Sequence, residues 1–540
     1  MILLCKEGYN LFVWYIKMNQ KKSIKNLILN GGILAVAGIL VRVIGLLYRI
    51  PMVNIIGAEA NGIYSASYNV YNIMLVLSSY GLPMAVSKLV SNKLAKRQYR
   101  DAKKIFRISL TVASVTGGLA ACVTFFGAHF IEKHFYEDYV GIALPLKVLA
   151  PTILIVSVLG VFRGFYQGQG TTIPTALSQL MEQIVNAIVS IVAGYLLIHS
   201  YKDSVNAAGY GAAGGTMGTL FGALTALVIV VAIYMMYRPV FCTKVRKDHR
   251  SIDEETSEIL RVIIVTMIPI IIGQTFYQIS AVFDDIMFGK MMSQAGFNSK
   301  EIAIMLGNYS SSYTMLTGVV MGIASAMSAS MLPSIVASKA RGEYKEINEK
   351  ISATVKTNML VAIPAFMGLV VLGEPVVELL FRKYDSSQGG MMLTIGGIAV
   401  VFYTMSTVTS SALQGIDKMN EPVWHSCISL VIHIVLLFIL LRFTNLGIFA
   451  VVIGTTTFPV VIMILNLLSL NKYLGYTQEV VKTFLIPSIC GIIMSVCVVL
   501  IYNLFIFLTN RNIIAIFFAL IAAVVSYFGL LLVLKKKRIY

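Results

Sequence analysis

Ile63-Tyr64-Ser65-Ala66-Ser67-Tyr68, followed by Leu82-Pro83-Met84-Ala85-Val86-Ser87-Lys88, returns as Asn308-Tyr309-Ser310-Ser311-Ser312-Tyr313 and then Leu332-Pro333-Ser334-Ile335-Val336-Ala337-Ser338-Lys339. A second pair stands at a similar offset: Tyr166-Gln167-Gly168 just before Pro174, and Leu413-Gln414-Gly415 just before Pro422. Six apolar runs separate the copies, and an even number of crossings keeps the direction of insertion. The halves therefore read as parallel repeats about an axis along the membrane normal, two six-helix lobes with a central cleft.

Composition supports a bilayer setting. Of 540 residues, 57% are hydrophobic and 13% charged, with a mean hydropathy of +0.80, which leaves too little polar surface to cover a water-soluble globule. Soluble enzymes and DNA-binding domains are excluded. Fourteen crossings of about 20 residues need about 280 apolar-dominated positions, which this composition supplies. The runs fall near 29–55, 63–86, 108–130, 142–162, 173–198, 211–237, 262–288, 305–332, 357–378, 391–414, 422–441, 446–470, 483–506 and 512–534. The predicted fold is an all-α polytopic membrane protein of 14 transmembrane helices. An N-terminal segment (1–28) leads into an N-lobe (29–237), a cytoplasmic linker (238–261), a C-lobe (262–470), and two C-terminal helices with a basic tail (471–540).

The net charge of +18 comes from 43 Lys and Arg dispersed among short connecting segments, with no compact basic domain for nucleic acid. Alternating the spans puts 32 of them on one side and 9 on the other, with Arg42 and Arg49 inside the first span. The positive-inside rule then places both termini in the cytoplasm. Residues 1–17 lack a small-residue cleavage site and read as an upstream extension or mis-assigned start, because Met18-Asn19-Gln20-Lys21-Lys22 leads directly into the first span. The six cysteines lie far apart without a CxxC or a histidine cluster, so free thiols are expected, and neither a metal nor a cofactor.

Ionisable groups inside a span cost at least about 2.5–3.5 kcal/mol and normally face a cavity or a partner. Gly38, Arg42, Gly45 and Arg49 share one stripe, the arginines about 10.5 Å apart along the axis. Their forked donors suit phosphate oxygens; the structural alternative is snorkelling of Arg49 and pairing of Arg42 with a buried carboxylate. Gln179, Glu182, Gln183 and Asn186 make a polar stripe on span 5, and Gln274, Gln278 and Asp285, beside Asp284, another on span 7. Glu182 is the expected counter-ion of Arg42 or a coupling-ion site, and Asp284 or Asp285 an outer gate against Arg49; interhelical hydrogen bonding is the plainer reading. Tyr64, Tyr68 and Asn72 on span 2 offer faces for sugars, as well as for ordinary packing. Gly209-Tyr210-Gly211-Ala212-Ala213-Gly214 matches a dinucleotide fingerprint only as a string, since no strand precedes it. Gly214, Gly218 and Gly222, like Gly318, Gly322, Ala326 and Ser330, read as close-packing ridges. His425 and His433 read as polar packing. No Walker loop or nucleophile set is present, so no enzyme is expected.

Fourteen spans, twin lobes, Arg42-Val43-Ile44-Gly45-Leu46-Leu47-Tyr48-Arg49 in the first helix and the Gln-Gly turn after span 4 together resemble the polysaccharide exporter branch of the multidrug/oligosaccharidyl-lipid/polysaccharide superfamily, specifically its stage V sporulation protein B-like group, related to lipid II flippases. The resemblance covers essentially the whole chain. It implies a bacterial inner-membrane carrier that moves an undecaprenyl-pyrophosphate-linked sugar by alternating access, driven by an ion gradient (Na+ or H+) or the membrane potential. Arg42 matches the arginine of the family's first helix; the second arginine falls one residue later, and spans 2 and 8 have none. A cation-coupled multidrug extruder of the same superfamily would need an acidic residue in the first span, where this chain has arginines. A non-transporting scaffold for cell-wall assembly would use the basic 87–107 stretch as its docking site, a stretch that also suits anionic lipid.

Overall fold

Strong apolar runs punctuated by glycine and proline produce helices throughout the computed structural model, which describes residues 24–137, 139 and 141–536. The expected 1–17 extension and the end of the basic tail lie outside the described residues. In chain order the helices are α1 (Ile24–Ser79), α2 (Leu82–Ala95), α3 (Tyr99–Phe135), α4 (Ala143–Gly168), α5 (Ile173–Ser200), α6 (Ala207–Arg246), α7 (Thr256–Gln294) and α8 (Ser299–Asn308). A π-helical turn, Tyr309–Met315, joins α8 to α9 (Leu316–Ala340). There follow α10 (Tyr344–Leu380), α11 (Ser386–Gly396), α12 (Ala399–Gly415), α13 (Asn420–Phe443), α14 (Ile448–Leu474), a second π turn (Val481–Leu485), α15 (Ile486–Thr509) and α16 (Asn512–Lys536).

Among the described residues, twelve helical stretches are long and apolar enough to cross a membrane, thirteen with the pair α11–α12, which is bent by 47°. The expected fourteen is not reached by that criterion. The first stretch, Leu40–Ala95, holds a break at Gly57 (φ 83, ψ 172), a conformation open essentially to glycine alone. This is where the sequence places the connection between spans 1 and 2. Span 2 itself ends early: the chain turns at Tyr80–Gly81 and restarts at Leu82 with a proline in the first helical turn.

The chain packs as two units. One comprises the chain up to Ile56 and Ala66–Gln278; the other comprises Gly57–Ser65 and Ile279–Tyr540. The division thus falls inside α7 and on either side of a nine-residue piece of α1. Within the first unit, α6 lies on α5 at backbone distance. A Cβ on Gly214 would come 2.5 Å from Ala193 O, one on Gly218 2.0 Å from Ser190 Oγ, and one on Gly222 2.6 Å from Glu182 O. This first small-residue ridge is a packing surface. At Gly318, in the second, a Cβ would meet nothing within 4 Å, so that position serves no close contact.

The repeat recurs as a contact in each unit. A Cβ on Gly168, at the end of α4, would stand 2.9 Å from Ser87 O on α2; one on Gly415, at the end of α12, would stand 2.7 Å from Ile335 Cγ2 on α9. The two Leu-Pro segments are thus seated by the two Gln-Gly turns in the same way. In the second unit, Ala58 and Gly62 meet their repeat equivalents Ala303 and Gly307 reciprocally: a Gly62 Cβ would lie 2.0 Å from Ala303 O and a Gly307 Cβ 1.8 Å from Ala58 O. Asn61, fully buried, donates from Nδ2 to Gly307 O (3.1 Å) and Ser311 Oγ (2.8 Å) across the same crossing. The pair α15 and α16 packs on α10 through Leu372, Cys490, Met494 and Tyr527. The five described cysteines are free thiols.

The linker after α6 is tied down. Asp248 accepts from Arg100 N (2.8 Å), Arg250 N (2.8 Å) and Ser251 Oγ (2.6 Å), while Asp101 Oδ2 accepts from Ile252 N (3.1 Å). Gln98 Nε2 donates to Arg250 O, Lys104 Nζ pairs with Asp253 (3.0 Å), and Lys93 pairs with Glu254. Much of the 87–107 stretch, which a scaffold would use for docking, is therefore occupied by the chain's own linker. Burial opposes ionisation of Asp248, but the hydrogen bonds from Ser251, Arg100 and Arg250 outweigh it and hold the carboxyl down at about 2.

Because that value lies below the ordinary aspartate range of about 3.9, the strap's contribution is fully present above about pH 4 and is lost as pH falls through about 2. Asp248→Ala should expose the linker at neutral pH, read as faster trypsin cleavage after Arg250 and faster amide exchange over 249–253. Unchanged rates would show that the linker is held elsewhere. In the helix crossing, Gly307→Val should destabilise the protein by at least about 2 kcal/mol, because backbone has to move apart; thermal unfolding in detergent measures it.

Candidate functional site

The first helix carries its arginines as the spacing requires. A methyl on Gly45 would lie 3.8 Å from Gln183 Oε1, so Gly45 faces α5, whereas one on Gly38 would meet nothing within 4 Å. Arg42 is exposed and Arg49 half-buried. Among the described residues no carboxylate stands within salt-bridge distance of Arg42.

Glu182 has a partner, and it is not Arg42. Arg163 Nη2 donates to Glu182 Oε2 at 2.7 Å, and Arg163 Nε donates to Ser178 Oγ at 3.0 Å. The two side chains retain only 15% and 21% of their exposure. The sequence reading assigned Arg163 to a connecting loop, but α4 continues past it to Gly168 and delivers the guanidinium to α5. The expected Arg42–Glu182 pair is corrected accordingly: Arg163 is the counter-ion.

On the far half of α1, Tyr64 is buried, and Tyr68 and Asn72 are half-buried. The Tyr68 and Tyr71 rings lie 5.2 Å apart, and Tyr71 enters a small core with Leu149 and Ile153. In the second copy the tyrosines are engaged in packing: Tyr309 stacks on Tyr313, the Tyr309 hydroxyl meets Thr455 Oγ1 at 2.9 Å, and Tyr313 donates to Gly396 O at 3.0 Å. Gln274 and Gln278 are half-buried on α7.

One turn beyond these glutamines, Asp284 and Asp285 are buried at 6% and 5% exposure. Asp284 Oδ1 lies 2.6 Å from His433 Nε2, and His433 Nδ1 lies 2.8 Å from Gly454 O. The close partner of Asp284 is thus His433. A carbonyl oxygen only accepts, so Nδ1 carries a proton. A contact of 2.6 Å between Nε2 and a carboxyl oxygen then requires one more, on the imidazole or on the acid. The pair is buried beside the Phe458 ring, whose centroid lies 6.0 Å from that of His433. Loss of that proton would set an imidazole lone pair against a carboxylate, which the geometry cannot sustain.

His425 repeats the theme nearer the start of α13. Its Nδ1 meets Asn466 Oδ1 at 2.7 Å, and its Nε2 meets Ser469 Oγ at 3.3 Å and Glu421 Oε2 at 3.5 Å. Both histidines, which the sequence presents as polar packing, thus have acidic companions. Asp284 is 149 positions away from His433 and invisible to any local pattern, whereas Glu421 stands four residues before His425, a helical spacing that was legible.

Comparison with known proteins places this geometry. A family model described as polysaccharide biosynthesis protein matches residues 27–339, and one described as MatE matches 269–439. The lipid II flippase MurJ of Bacillus subtilis (strain 168) is 24% identical over 471 residues, covering 85% of each chain. Stage V sporulation protein B of the same organism is 22% identical over 467 residues, covering 86% of this chain and 88% of its own. Among solved structures, the lipid II flippase MurJ in an inward closed conformation superposes with a TM-score of 0.68 at 15% identity, covering 94% of this chain and 99% of that one. An inward-facing multidrug resistance MATE family transporter of the MOP superfamily superposes at 0.62 and 16% identity, covering 82% and 98%. These likenesses establish the fold.

The Arg163–Glu182 pair is partly buried, so removing one partner strands a charge. Arg163→Ala alone should cost about 1–3 kcal/mol, less than the 3–5 of a fully buried pair, and Arg163→Ala with Glu182→Gln should recover most of it. Thermal unfolding of the purified variants reads both; equal loss in single and double variants would deny the pair its role.

Proposed function

The chain belongs to the polysaccharide biosynthesis protein family of the multidrug/oligosaccharidyl-lipid/polysaccharide superfamily, and from that premise we propose that it flips a lipid-linked oligosaccharide or peptidoglycan precursor, of the undecaprenyl-pyrophosphate class, across the bacterial inner membrane by alternating access. Support comes from relatives named as flippases and from one observation above the rest: a guanidinium at Arg42, within an apolar helix, with no carboxylate partner among the described residues. Acyl chains do not tolerate such a group. Gly45, three residues along from Arg42, lies beside Gln183 of α5, and a diphosphate held there would satisfy the forked donors of Arg42. Arg49 would add a second contact about 10.5 Å along the helix, and Tyr64, Tyr68, Asn72, Gln274 and Gln278 are the candidates for the glycan.

Coupling is assigned to the proton shared by Asp284 and His433. Its arrival or loss changes the bonding of two buried side chains at once, which a transport cycle needs from a coupling ion. Glu182 is already neutralised by a permanently charged arginine and is a poor carrier. Asp285, buried beside Asp284, takes the accompanying gating role. Basic residues concentrated on one set of loops support a cytoplasmic position for both termini.

The test uses the full chain in proteoliposomes with a fluorescent disaccharide on a polyprenyl diphosphate. Wild-type protein should move the probe between leaflets faster when a pH gradient is imposed. Arg42→Ala should slow movement about tenfold or more, the loss of a charge-assisted contact worth about 1.5–3 kcal/mol. Asp284→Asn should leave residual movement that ignores the gradient. Export of a cationic dye instead would support a multidrug extruder, and no movement of either would support a scaffold; either result overturns the proposal, as does full activity in folded Arg42→Ala protein.

A further inference from the structure

Where α3 begins and α6 ends, two helix faces meet. Arg100, Lys103 and Arg107 are spaced three and four residues apart on α3, and Arg238, Cys242 and Val245 four and three apart on α6, so each set shares one side of its helix. The helices run antiparallel here: Arg100 Nε donates to Val245 O at 3.3 Å, and Lys103 Nζ lies 3.9 Å from Cys242 Sγ. The same register brings Arg107 to the level of Arg238. An aromatic floor lies alongside, in which the Tyr234 ring of α6 packs on Phe106 of α3 at 5.2 Å and on Phe162 of α4 at 5.6 Å. The charges of Arg107 and Arg238 both act on the Tyr234 hydroxyl, which has no hydrogen-bond partner among the described residues.

The cations around this seam are otherwise matched. Lys93 and Lys104 pair with Glu254 and Asp253 of the linker, while Asp101 and Asp248 are taken up by linker backbone N–H groups. Arg107 and Arg238 are both exposed and, among the described residues, have no carboxylate within salt-bridge distance. Two like charges at one level repel each other. An anion between them turns that repulsion into two forked contacts and gives the Tyr234 hydroxyl an acceptor. The depth of the rung says which anion. Arg107 directly precedes the apolar run 108–130 and Arg238 directly follows the run 211–237. Just beyond them, Val115 and Leu119 on α3 and Val228 and Met235 on α6 stand exposed. The ligand therefore has its charge at the membrane boundary and apolar length beside it.

We infer that the Arg107–Arg238 rung seats the phosphate of an anionic glycerophospholipid, with the Tyr234 hydroxyl as a third donor, Lys103 one step away, and the acyl chains along the apolar sides of α3 and α6. Basic pockets between membrane helices on the cytoplasmic side take acidic headgroups in this manner. The seat uses none of the residues assigned to the transported lipid-linked sugar. A soluble phosphate would find the same donors but nothing to match the apolar surface beside them.

The experiment is native mass spectrometry of the full-length protein, stripped of lipid in detergent and titrated with dioleoyl phosphatidylglycerol. Wild-type protein should retain one phosphatidylglycerol in preference to phosphatidylcholine of the same chains. Arg107→Gln combined with Arg238→Gln should weaken the apparent Kd about thirtyfold. Tyr234→Phe, which keeps the aromatic floor, should weaken it about threefold. Lys104→Gln, which removes only an exposed pair, should leave it unchanged. Equal retention of the two lipids would overturn the seat, as would an unchanged Kd in the folded arginine variant and in Tyr234→Phe, or a loss in Lys104→Gln as large as in the arginine variant. Displacement by excess inorganic phosphate would show a soluble-anion site instead, and displacement by an equal concentration of polyprenyl diphosphate would show a station for the transported lipid. Either overturns the assignment to a resident phospholipid.

Discussion

Hydrocarbon offers no water to complete an unfinished hydrogen bond, and this one constraint accounts for most of the architecture. Backbone groups are satisfied by helices. Hydroxyls fold back on the preceding turn, as Thr455, Thr456 and Thr457 do in succession on α14. Ionisable side chains find each other over long sequence distances: Arg163 with Glu182, His433 with Asp284. Where helices come closest, glycine or alanine removes the side chain altogether, and a buried asparagine supplies the specificity that shape alone lacks. Arg42 stands apart from this accounting, and that gives it functional weight.

What can be read from sequence follows the same physics. Hydropathy places the helices because burying apolar length is a local property, and the repeat is visible because duplicated contacts keep duplicated residues, Gly168 and Gly415 among them. Helix ends are less legible. Arg163 looks like loop because a charge ends an apolar window, yet α4 carries it one turn further to meet Glu182. The bend between Gly396 and Ala399 and the π turn at Tyr309–Met315 leave no periodic mark at all. Pairing is the least legible, since a hydropathy profile says that Asp284 needs a partner without saying which. The stripe Glu421–His425–Ser429–His433 was within reach of a count by fours, and only the expectation that isolated histidines are packing residues hid it.

The two copies show how one scaffold takes different chemistry. At the repeat offset of 247 residues, Ser178, Glu182 and Asn186 on α5 correspond to His425, Ser429 and His433 on α13. The last member of each set faces the following helix, Asn186 against Gly218 on α6 and His433 against Gly454 O on α14, while Ser178 and Glu182 reach back to Arg163 on α4. In the first copy these positions hold a carboxylate paired with a guanidinium; in the second they hold imidazoles, one of them in contact with a carboxylate from α7. On the flippase reading, the duplicated helix carries a closed ion pair in one copy and the proposed coupling group in the other without altering the fold. Exchanging the two stripes would therefore be expected to cost packing as well as function, because Arg163 and Asp284 would each lose a partner and the side chains seated against Gly218 and Gly454 would change.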